Sequence, residues 1–594
     1  IMKLEEDIKT HIKNAFKSIF EVELDSAQLF LQPTRKEFEG THTFVVFPFL
    51  KTSQKSPEAT AVVIGDYLKS RSGMIKGYNV VKGFLNLEID SSVWVACLGD
   101  MLSNENWGQL PPNGKKVMVE FSSPNTNKPL HLGHLRNNFL GDAMSRIIEA
   151  AGYQVKRTNL VNDRGIHICK SMLAYKRWGK GETPETAKLK GDHLAGKYYV
   201  LFDRYYKEEI AAMVVQGISE EEAKKQAPIL VEAQEMLQKW EQKDAEVMTL
   251  WYNMNTWVYA GFETTYQTMG IEFDAIYKES ETYLLGKDII EEGLKKQVFY
   301  QREDGSVWID LKEEGLDEKL VMRSDGTSVY ITQDIGTCDF KYEDFPMDQS
   351  VYVVGNEQDY HFNVLFAIMK KMGRPYGEGL YHLSYGMVDL PSGKMKSREG
   401  TVVDADELMD EMFKTAAKHT RELGKIEGLT EEESKSLFRM VGLGALKFFL
   451  LKVDPKKRML FDPKESIEFQ GHTGPFVQYT HARISAILRR ASTDGINEAL
   501  SPIQEMHRRE QILLAHLVRF EEVILQAARD YSPALLAQYV YDLAKDYNGF
   551  YQELSIFNEP DEHLVTFRIG LSRLTAKVIR HSMNLLGIEV PNRM

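Results

Sequence analysis

The stretch from Val117 to Ala151, VMVEFSSPNTNKPLHLGHLRNNFLGDAMSRIIEAA, decides the fold. Its first apolar residues alternate with other residues, which predicts a strand over 117–121. After a turn-rich loop, apolar residues recur at helical spacing from Leu135 onward and Gly152 follows as a stop signal, so we predict a helix over 132–150. A strand, a loop and a helix in this order indicate an open α/β sheet.

The loop places His131-Leu-Gly-His134, here called HLGH, at the start of the predicted helix. The two imidazoles share one helical face. They lie beside free N–H groups and the positive end of the helix dipole, where phosphate is favoured, and Gly133 allows close approach to the backbone. A partial metal site and a pair of solvated polar residues stay open as alternatives. Nucleotide chemistry is favoured by three polar residues at the carboxyl end of the strand, where open α/β sheets bind ligands: Glu120, Asn125 and Lys128.

Composition narrows the class of protein. The chain has 594 residues, enough for several domains, and its 43% hydrophobic and 27% charged content is typical of globular proteins. Apolar runs are shorter than the ~20 residues of a membrane span, and no signal peptide is visible. Three separated cysteines favour a reducing cytosol and argue against a disulfide framework or a zinc ribbon. The net charge of −13 argues against general DNA binding, but it allows RNA to bind a local basic face.

Pattern changes along the chain predict three domains. Residues 1–112 are predicted as an α+β domain, 113–454 as a doubly wound, Rossmann-like α/β domain with a helical insertion at 180–260, and 455–594 as an all-α bundle. We predict helices at 4–20, 56–71, 164–178 and 362–372, strands at 43–47, 78–81, 83–89, 153–161, 271–277, 350–354 and 380–388, and hairpin turns at 304–305 and 325–326.

A second loop, Gly393-Lys-Met-Lys-Ser-Arg398, carries three cations and a hydroxyl between glycines. Such a loop can cover a polyphosphate and stabilise charge on a departing pyrophosphate. On its own, the loop is better explained as a solvated basic turn. Its order and spacing after HLGH make the combination specific. Asp404 and Glu407 then form a capping-box pattern for the next helix.

Together these motifs resemble those of class I aminoacyl-tRNA synthetases. HLGH resembles the HIGH motif, and Lys394–Arg398 resembles the KMSKS loop. Within the class the chain is most similar to arginyl-tRNA synthetases. The loop can be read as KMSKS with one residue missing, or as the family's Met-Ser-x-Arg form with Lys396 where Ser is usual, so the individual roles in it stay open. The similar stretches are 120–125, 128–136, 325–330 with Asp334, 358–361, 469–483 and 593–594.

The resemblance implies an arginine–tRNA ligase. L-Arginine and ATP would form arginyl-adenylate and pyrophosphate, and arginine would pass to the 3′ adenosine of tRNA, with activation dependent on bound tRNA. Attack of a carboxylate on the α-phosphorus relies on positioning and charge stabilisation. The expected ligands are ATP with Mg²⁺, arginine and tRNA, with no zinc, no DNA and no membrane partner. A cytoplasmic monomer is expected.

The resemblance also assigns site residues. Lys128 would replace the missing second lysine of the KMSKS loop. Asp334 and Glu120 would bind the guanidinium group, which favours carboxylates in its plane; on other grounds Asp334 could be a helix N-terminal carboxylate and Tyr330 a half-buried strand aromatic. The ATP-binding and catalytic set is Lys128, His131, Gly133, His134, Lys394, Met395, Lys396, Ser397 and Arg398. The arginine-binding set is Glu120, Ser123, Asn125, His131, Tyr330, Asp334 and Gln358. The tRNA-binding set is Phe476, Tyr479, Arg483 and Met594.

Two other functions are alternatives to this one. The first is another class I synthetase or a small adenylyltransferase. A cysteinyl enzyme would need zinc-binding cysteines, and a pantothenate-type ligase would lack the helical bundle. The second is a catalytically inactive paralogue that binds RNA or regulates another protein. The presence of Lys128, His131 and His134 argues against inactivity.

Overall fold

The structure, a computed structural model, describes residues 3–391 and 403–594. In the first hundred residues, four strands form an antiparallel sheet in the order β1-β2-β4-β3. The Ser56 hydroxyl accepts a hydrogen bond from the Ala59 N–H, so the following helix begins where the sequence predicts. The elements are α1 Lys3–Phe20, β1 Leu31–Pro33, β2 His42–Val45, α2 Leu50–Ser53, α3 Pro57–Arg71, β3 Ile75–Val81, β4 Phe84–Ile89 and α4 Ser91–Ser103.

The central part of the chain begins with the strand, loop and helix that open the sequence argument. The helix has the predicted bounds, and the strand begins and ends one residue earlier than predicted. The elements up to the third strand of this part are β5 Lys116–Glu120, α5 Leu132–Ala150, β6 Gln154–Val161, α6 Ile166–Trp178, α7 Pro184–Ala187, α8 Gly191–Val215, α9 Glu220–Gln226, α10 Pro228–Glu241, α11 Ala245–Met269 and β7 Ala275–Lys278.

The chain then crosses to the other side of the sheet. The elements are α12 Glu279–Thr282, α13 Lys287–Lys295, β8 Tyr300–Gln301, β9 Val307–Asp310, β10 Glu318–Met322, α14 Tyr330–Asp344, β11 Gln349–Gly355, α15 Asp359–Lys371, β12 Leu380–Tyr385 and β13 Val388–Asp389. The last part of the chain contains α16 Ala405–Glu422, α17 Glu431–Leu451, β14 Met459–Leu460, α18 Pro463–Ser466, α19 Gly474–Thr493, α20 Arg508–Val518, α21 Phe520–Arg529, α22 Pro533–Glu553 and α23 Glu562–Leu585.

Five parallel strands form the main sheet, in the order β12-β11-β5-β6-β7. The chain moves outward from β5 to β7 and then returns to place β11 on the other side of β5. Connections that leave in opposite directions create a crevice at the carboxyl ends of β5 and β11, which is where such sheets bind ligands. The doubly wound α/β class and the helical C-terminal part are confirmed.

The predicted insertion at 180–260 is helical. Helices α8, α10 and α11 pack against α6 around a separate apolar core. Its largest buried side chains include Trp240, Phe202 and Tyr198. Most charged residues of these helices face outward, with the buried Asp192 as an exception, so the Lys/Glu-rich composition is that of a solvated face over a buried stripe.

The chain divides into two compact units. One contains residues 1–111, 420–448 and 467–594, and the other contains 112–419 and 449–466. In the first unit, α4 packs against α20 and α23, so the first hundred residues share one body with the C-terminal helices. Among the helices of the described ranges, none is long and apolar enough to cross a bilayer.

Several element predictions were wrong in part, and the strand predicted at 78–81 and the helix predicted at 362–372 each begin three residues earlier. The strand predicted at 271–277 begins only at Ala275, because Asp274 is held in a loop by hydrogen bonds with the Arg157 backbone. The helix predicted from 164 begins at Ile166, since Gly165 has a φ of 118°. The strand predicted at 380–388 is broken at Gly386, whose backbone packs tightly against Lys457. The turn at 325–326 closes an isolated bridge rather than a full hairpin.

Candidate active site

A cavity of 840 Å³ lies at the crevice between β5 and β11. HLGH forms one side of it, and the segments that follow β5, β11 and β12 form the others. The cavity lies at the carboxyl end of β5, where the strand and its polar residues predict a ligand site. The lining residues are Ser122, Ser123, His131, Leu132, Gly133, His134, Asn137, Val353, Val354, Gly355, Asn356, Glu357, Tyr385, Gly386, Met387, Val388, Asp389, Leu390, Pro391 and Val403.

The two HLGH histidines cap the helix that they begin. The Nδ1 atom of His131 accepts a hydrogen bond from the Gly133 N–H at 3.0 Å, and Nδ1 of His134 accepts one from the His131 N–H at 3.1 Å. Because a backbone N–H is always the donor, both Nδ1 atoms are unprotonated. In the neutral ring the proton then lies on Nε2. The two rings, with centroids 4.1 Å apart, therefore each carry one N–H donor at the Nε2 position.

Both histidines are neutral at physiological pH. Burial lowers the pKa of His131 to about 4, and the positive charge of Lys128 contributes to the same shift. Burial also lowers the pKa of His134 well below its ordinary value, with further contributions from His131 and Lys128. Lys128 is thus close enough to act electrostatically on both rings. A neutral donor pair and one ammonium group stand together at the start of α5.

The segment that joins β5 to HLGH has an unusual backbone. Ser122 and Ser123 have φ values of 77° and 47°, in the left-handed region that non-glycine residues rarely adopt. Their N–H groups donate to Asn137 Oδ1 at 2.6 Å and Asn159 Oδ1 at 3.0 Å. The Ser122 hydroxyl is also 2.6 Å from the Tyr266 hydroxyl. Side chains from three separate elements therefore hold this turn in place.

Glu120, predicted to bind arginine, lies at the end of β5 and is only 5% exposed. One carboxylate oxygen is 2.5 Å from the ammonium nitrogen of Lys341, which is itself buried on α14. The same ammonium lies 4.7 Å from the ring centroid of Tyr352. Both side chains are buried, so the Glu120 carboxylate has a cationic partner inside the protein.

The other predicted arginine-binding residues are more exposed. Asp334 lies in the second turn of α14, where its carboxylate is 2.5 Å from Nε2 of His361. Its hydrogen bond raises the pKa of His361. Tyr330, at the start of the same helix, is 79% exposed, and Gln358 is exposed just before α15. Asn125 forms a backbone bridge with Asn162.

The residues predicted in the second loop, Lys394, Met395, Lys396, Ser397 and Arg398, lie outside the described residues. The chain is described again from Val403. There it pairs with HLGH, because the Leu132 N–H donates to the Val403 carbonyl at 2.9 Å. The carboxylate of Asp404 accepts from the Glu407 N–H, which is half of the predicted capping box.

Sequence reasoning missed the residues that hold this site together. Arg136 is fully buried on α5, and its guanidinium donates to the carbonyls of Gly386 at 2.5 Å and Lys457 at 2.8 Å. It thus ties the helix to the segment after β12. The available signal was that Arg136 and Asn137 stand beside the apolar positions of the predicted helix, where a buried polar side chain requires a partner.

A second cavity, of 610 Å³, lies in the other unit. Three of the four predicted tRNA-binding residues, Tyr479, Arg483 and Met594, line it, whereas Phe476 packs against Tyr541. Arg483 Nη1 donates to Asn548 Oδ1 at 2.7 Å, which fixes the guanidinium group. The basic residues that line this cavity are Lys425, Arg483, Arg489, Arg490 and Arg593.

Comparison with known proteins gives concordant matches. Residues 98–462 match the family described as tRNA synthetases class I (R), catalytic domain, and residues 477–594 match the DALR anticodon binding domain. An arginine–tRNA ligase of Amoebophilus asiaticus is 58% identical over 598 residues, and one of Bacteroides thetaiotaomicron is 54% identical over 597 residues. Each comparison covers 100% of both chains. Among solved structures, the arginyl-tRNA synthetase of Thermus thermophilus has the same fold, with a TM-score of 0.77, 24% identity, and coverage of 99% of this chain and 100% of that one.

Proposed function

The chain belongs to the arginine–tRNA ligase family, and we propose that the cavity beside HLGH is where it activates arginine with ATP. The arrangement of the two histidines carries this proposal. Their Nδ1 atoms are taken by backbone N–H groups, so both rings offer Nε2–H donors beside a helix N-terminus and Lys128. Donors and positive charge in one place favour a polyphosphate.

Activation requires little proton transfer. The carboxylate of arginine attacks the α-phosphorus, and negative charge increases on the oxygens of the departing pyrophosphate. Neutral imidazole donors and the Lys128 ammonium stabilise that charge without giving up protons. The low pKa of His131 suits this role, because the ring stays neutral over the whole physiological range. ATP brings its Mg²⁺ as part of the substrate.

Recognition of arginine falls to Asp334, Glu120 and Tyr330. The Asp334 carboxylate is accessible and its partner is a neutral-to-cationic imidazole, so a guanidinium group can replace His361. Glu120 already pairs with Lys341, and it contributes negative potential at the end of β5. Ser123, Asn125 and Gln358 would bind the α-amino and carboxylate groups. A site whose acceptors pair with the planar guanidinium group discriminates against lysine, because lysine would leave some of those acceptors unpaired. Such a site needs no separate editing site.

A histidine replacement series tests the role of His134. In His134→Asn, the amide oxygen can still accept at the Nδ1 position, but the distant donor is lost. In His134→Gln, the amide N–H reaches the Nε2 position. We expect arginine-dependent ATP–pyrophosphate exchange to fall at least a hundredfold in the Asn variant, the magnitude of one lost transition-state donor, and to fall less in the Gln variant.

The matched control is His563→Asn, which removes an exposed histidine at the start of α23. It should leave exchange unchanged. Exchange should also require tRNA, which is measured by omitting tRNA from the wild-type reaction. No exchange with or without tRNA would overturn the proposed function, and equal loss in both His134 variants would overturn the donor assignment.

We propose that the basic cavity of the other unit contacts the anticodon region of tRNA. Single-stranded bases are bound by stacking on aromatic rings and guanidinium planes, and Tyr479 and Arg483 offer both surfaces. Lys425 lies 3.9 Å from the ring centroid of Tyr479, which concentrates positive charge there. A local basic cavity explains how a chain of net charge −13 binds RNA.

Replacement of Arg483 by Gln tests this contact. The tRNA dissociation constant should rise about tenfold, and the dependence of log K on log salt should become less steep by about 1, because one phosphate or base contact is lost. The control is Arg573→Gln. It removes an arginine of α23 that is paired with Glu498, and it should change neither quantity. An unchanged salt slope in Arg483→Gln would place the anticodon elsewhere.

We expect a cytoplasmic protein whose active species is a monomer. Sedimentation of the pure protein tests the oligomeric state.

A further inference from the structure

The segment that begins α16 is paired with HLGH through its backbone. The Leu132 N–H donates to the Val403 carbonyl and the Ala405 N–H donates to the Leu130 carbonyl, each at 2.9 Å. Between these bonds, His131 and Asp404 form an antiparallel bridge. Any displacement of Asp404 is therefore transmitted directly to the backbone of His131.

Side chains of the helical insertion hold the same segment from its other side. The Lys190 ammonium is 2.5 Å from Oδ2 of Asp406 and 2.6 Å from the Thr265 hydroxyl, which in turn lies 2.9 Å from Oδ1 of Asp406. Two residues before Asp406, Oδ2 of Asp404 is 2.8 Å from Nε2 of His193. Lys190 and His193 stand at the start of α8, and Thr265 lies on α11.

Acidic side chains outnumber basic ones in this cluster. Asp192 is fully buried, and within residues 3–391 and 403–594 neither of its carboxylate oxygens has a hydrogen-bond partner; the Lys190 ammonium is 3.5 Å away. Burial raises the pKa of Asp192. Three carboxylates thus surround Lys190 and His193, and the removal of Lys190 leaves the buried Asp192 carboxylate without its ammonium neighbour.

Burial alone would lower the pKa of His193. The hydrogen bond to Asp404 and the charge of Asp192 outweigh burial and raise it. Ligand atoms of Asp192, His193 and Asp406 lie within 4.8 Å of one another, a spacing that a metal ion could also use. Lys190 already supplies a cation at this point, and its ion pair with Asp406 is the shortest contact in the cluster.

We propose that Lys190 and His193, assisted by Thr265, are positioning residues that hold the Asp404–Asp406 segment against HLGH and so fix His131 for activation. None of the three lines the cavity beside HLGH. Their effect passes through Asp404 and the two backbone hydrogen bonds to His131. The proposal rests on the proposed function, because it assumes that His131 acts in activation.

The test compares disruptive and conservative replacements. His193→Ala and Lys190→Met should each lower kcat for arginine-dependent exchange more than tenfold, while the KM for arginine changes less than threefold and tRNA binding is unchanged. His193→Gln, which keeps a donor near the Nε2 position, and Lys190→Arg should recover most of the loss. Lys207→Met is the control: this lysine is on α8 too and pairs with exposed Asp203, so its loss should have no effect.

A double-mutant cycle with His131→Asn separates positioning from general stability. If His193 acts through His131, His193→Ala should cost little once His131 has been replaced, so the two losses are not additive. Additive losses, or no loss in the single variants, would overturn the proposal. Recovery of Lys190→Met by added Mg²⁺ or Zn²⁺ would overturn it as well, in favour of a metal site. Absence of exchange in the wild type would instead contradict the proposed function.

Discussion

Two groups of site residues differ in how they are held. The inner group, Glu120, Ser122, Ser123, His131 and His134, lies after β5 and at the start of α5. Each member has a partner within the fold, such as Lys341 for Glu120 or the Gly133 N–H for His131. The outer group is Tyr330, Asp334 and Gln358, which begin or precede α14 and α15 and are accessible to solvent.

The difference separates preorganisation from recognition. Burial and partners within the fold hold the inner residues in place. They therefore need no rearrangement when charge develops during the reaction. Outer residues are accessible to a ligand, and Asp334 can exchange its partner His361 for one. Replacement of an inner residue's partner should therefore cost stability, whereas replacement of an outer residue should cost affinity for arginine.

The largest expected effect comes from Lys341→Met. It leaves the Glu120 carboxylate buried without a cation, which costs about 3–5 kcal/mol of folding free energy. Urea denaturation measures the loss. Adding Glu120→Gln in the same chain should restore most of it. Lys156→Met breaks a more exposed pair with Asp344 and should cost at most about 1 kcal/mol. Equal losses in the two single variants would contradict the special cost of an unpaired buried charge at Glu120.

A smaller effect, on binding rather than folding, is expected from Asp334→Asn. Loss of a charge-assisted hydrogen bond costs about 1.5–3 kcal/mol, so the KM for arginine in the exchange assay should rise about tenfold to a hundredfold. Unfolding should be unchanged. Asp339 lies on the same helix but is fixed by Arg374 at 3.0 Å. Asp339→Asn should show the reverse pattern, with reduced stability and unchanged KM; the same pattern in both variants would refute the assignment of Asp334.

The smallest effect is a dependence of stability on pH. The folded-state pKa of His131, about 4, lies below the ordinary 6.5, so the unfolded chain binds this proton first as pH falls. The contribution of His131 to stability is complete above pH 6.5 and is lost as pH falls towards 4. At pH 6 the loss is about 0.8 kcal/mol. Denaturation at pH 7.5 and pH 6 should show a shallower decline for His131→Asn than for the wild type, and parallel declines would contradict the shift.

Local pattern predicted the parts of the fold that local chemistry controls. The bounds of α5, the Ser56 cap of α3 and the helical insertion follow from hydrophobic spacing and capping residues, which operate within one or two turns. The same pattern placed His131 and His134 at the start of a helix. It overextended β7 and β12, because the hydrogen bonds of Asp274 and the packing of Gly386 come from distant segments.

The sequence by itself determined the order of strand, HLGH and helix, the α/β class, and the resemblance that led to the family. Only the tertiary structure decided which charges meet: Glu120 with Lys341, Lys190 with Asp406, and His193 with Asp404. It also decided that Ser122 and Ser123 adopt left-handed backbone, held by Asn137 and Asn159. The physical reason is range. Helix and strand periodicity is set by neighbours along the chain, whereas a buried charge or strained turn is stable only when residues far apart in sequence supply its partner.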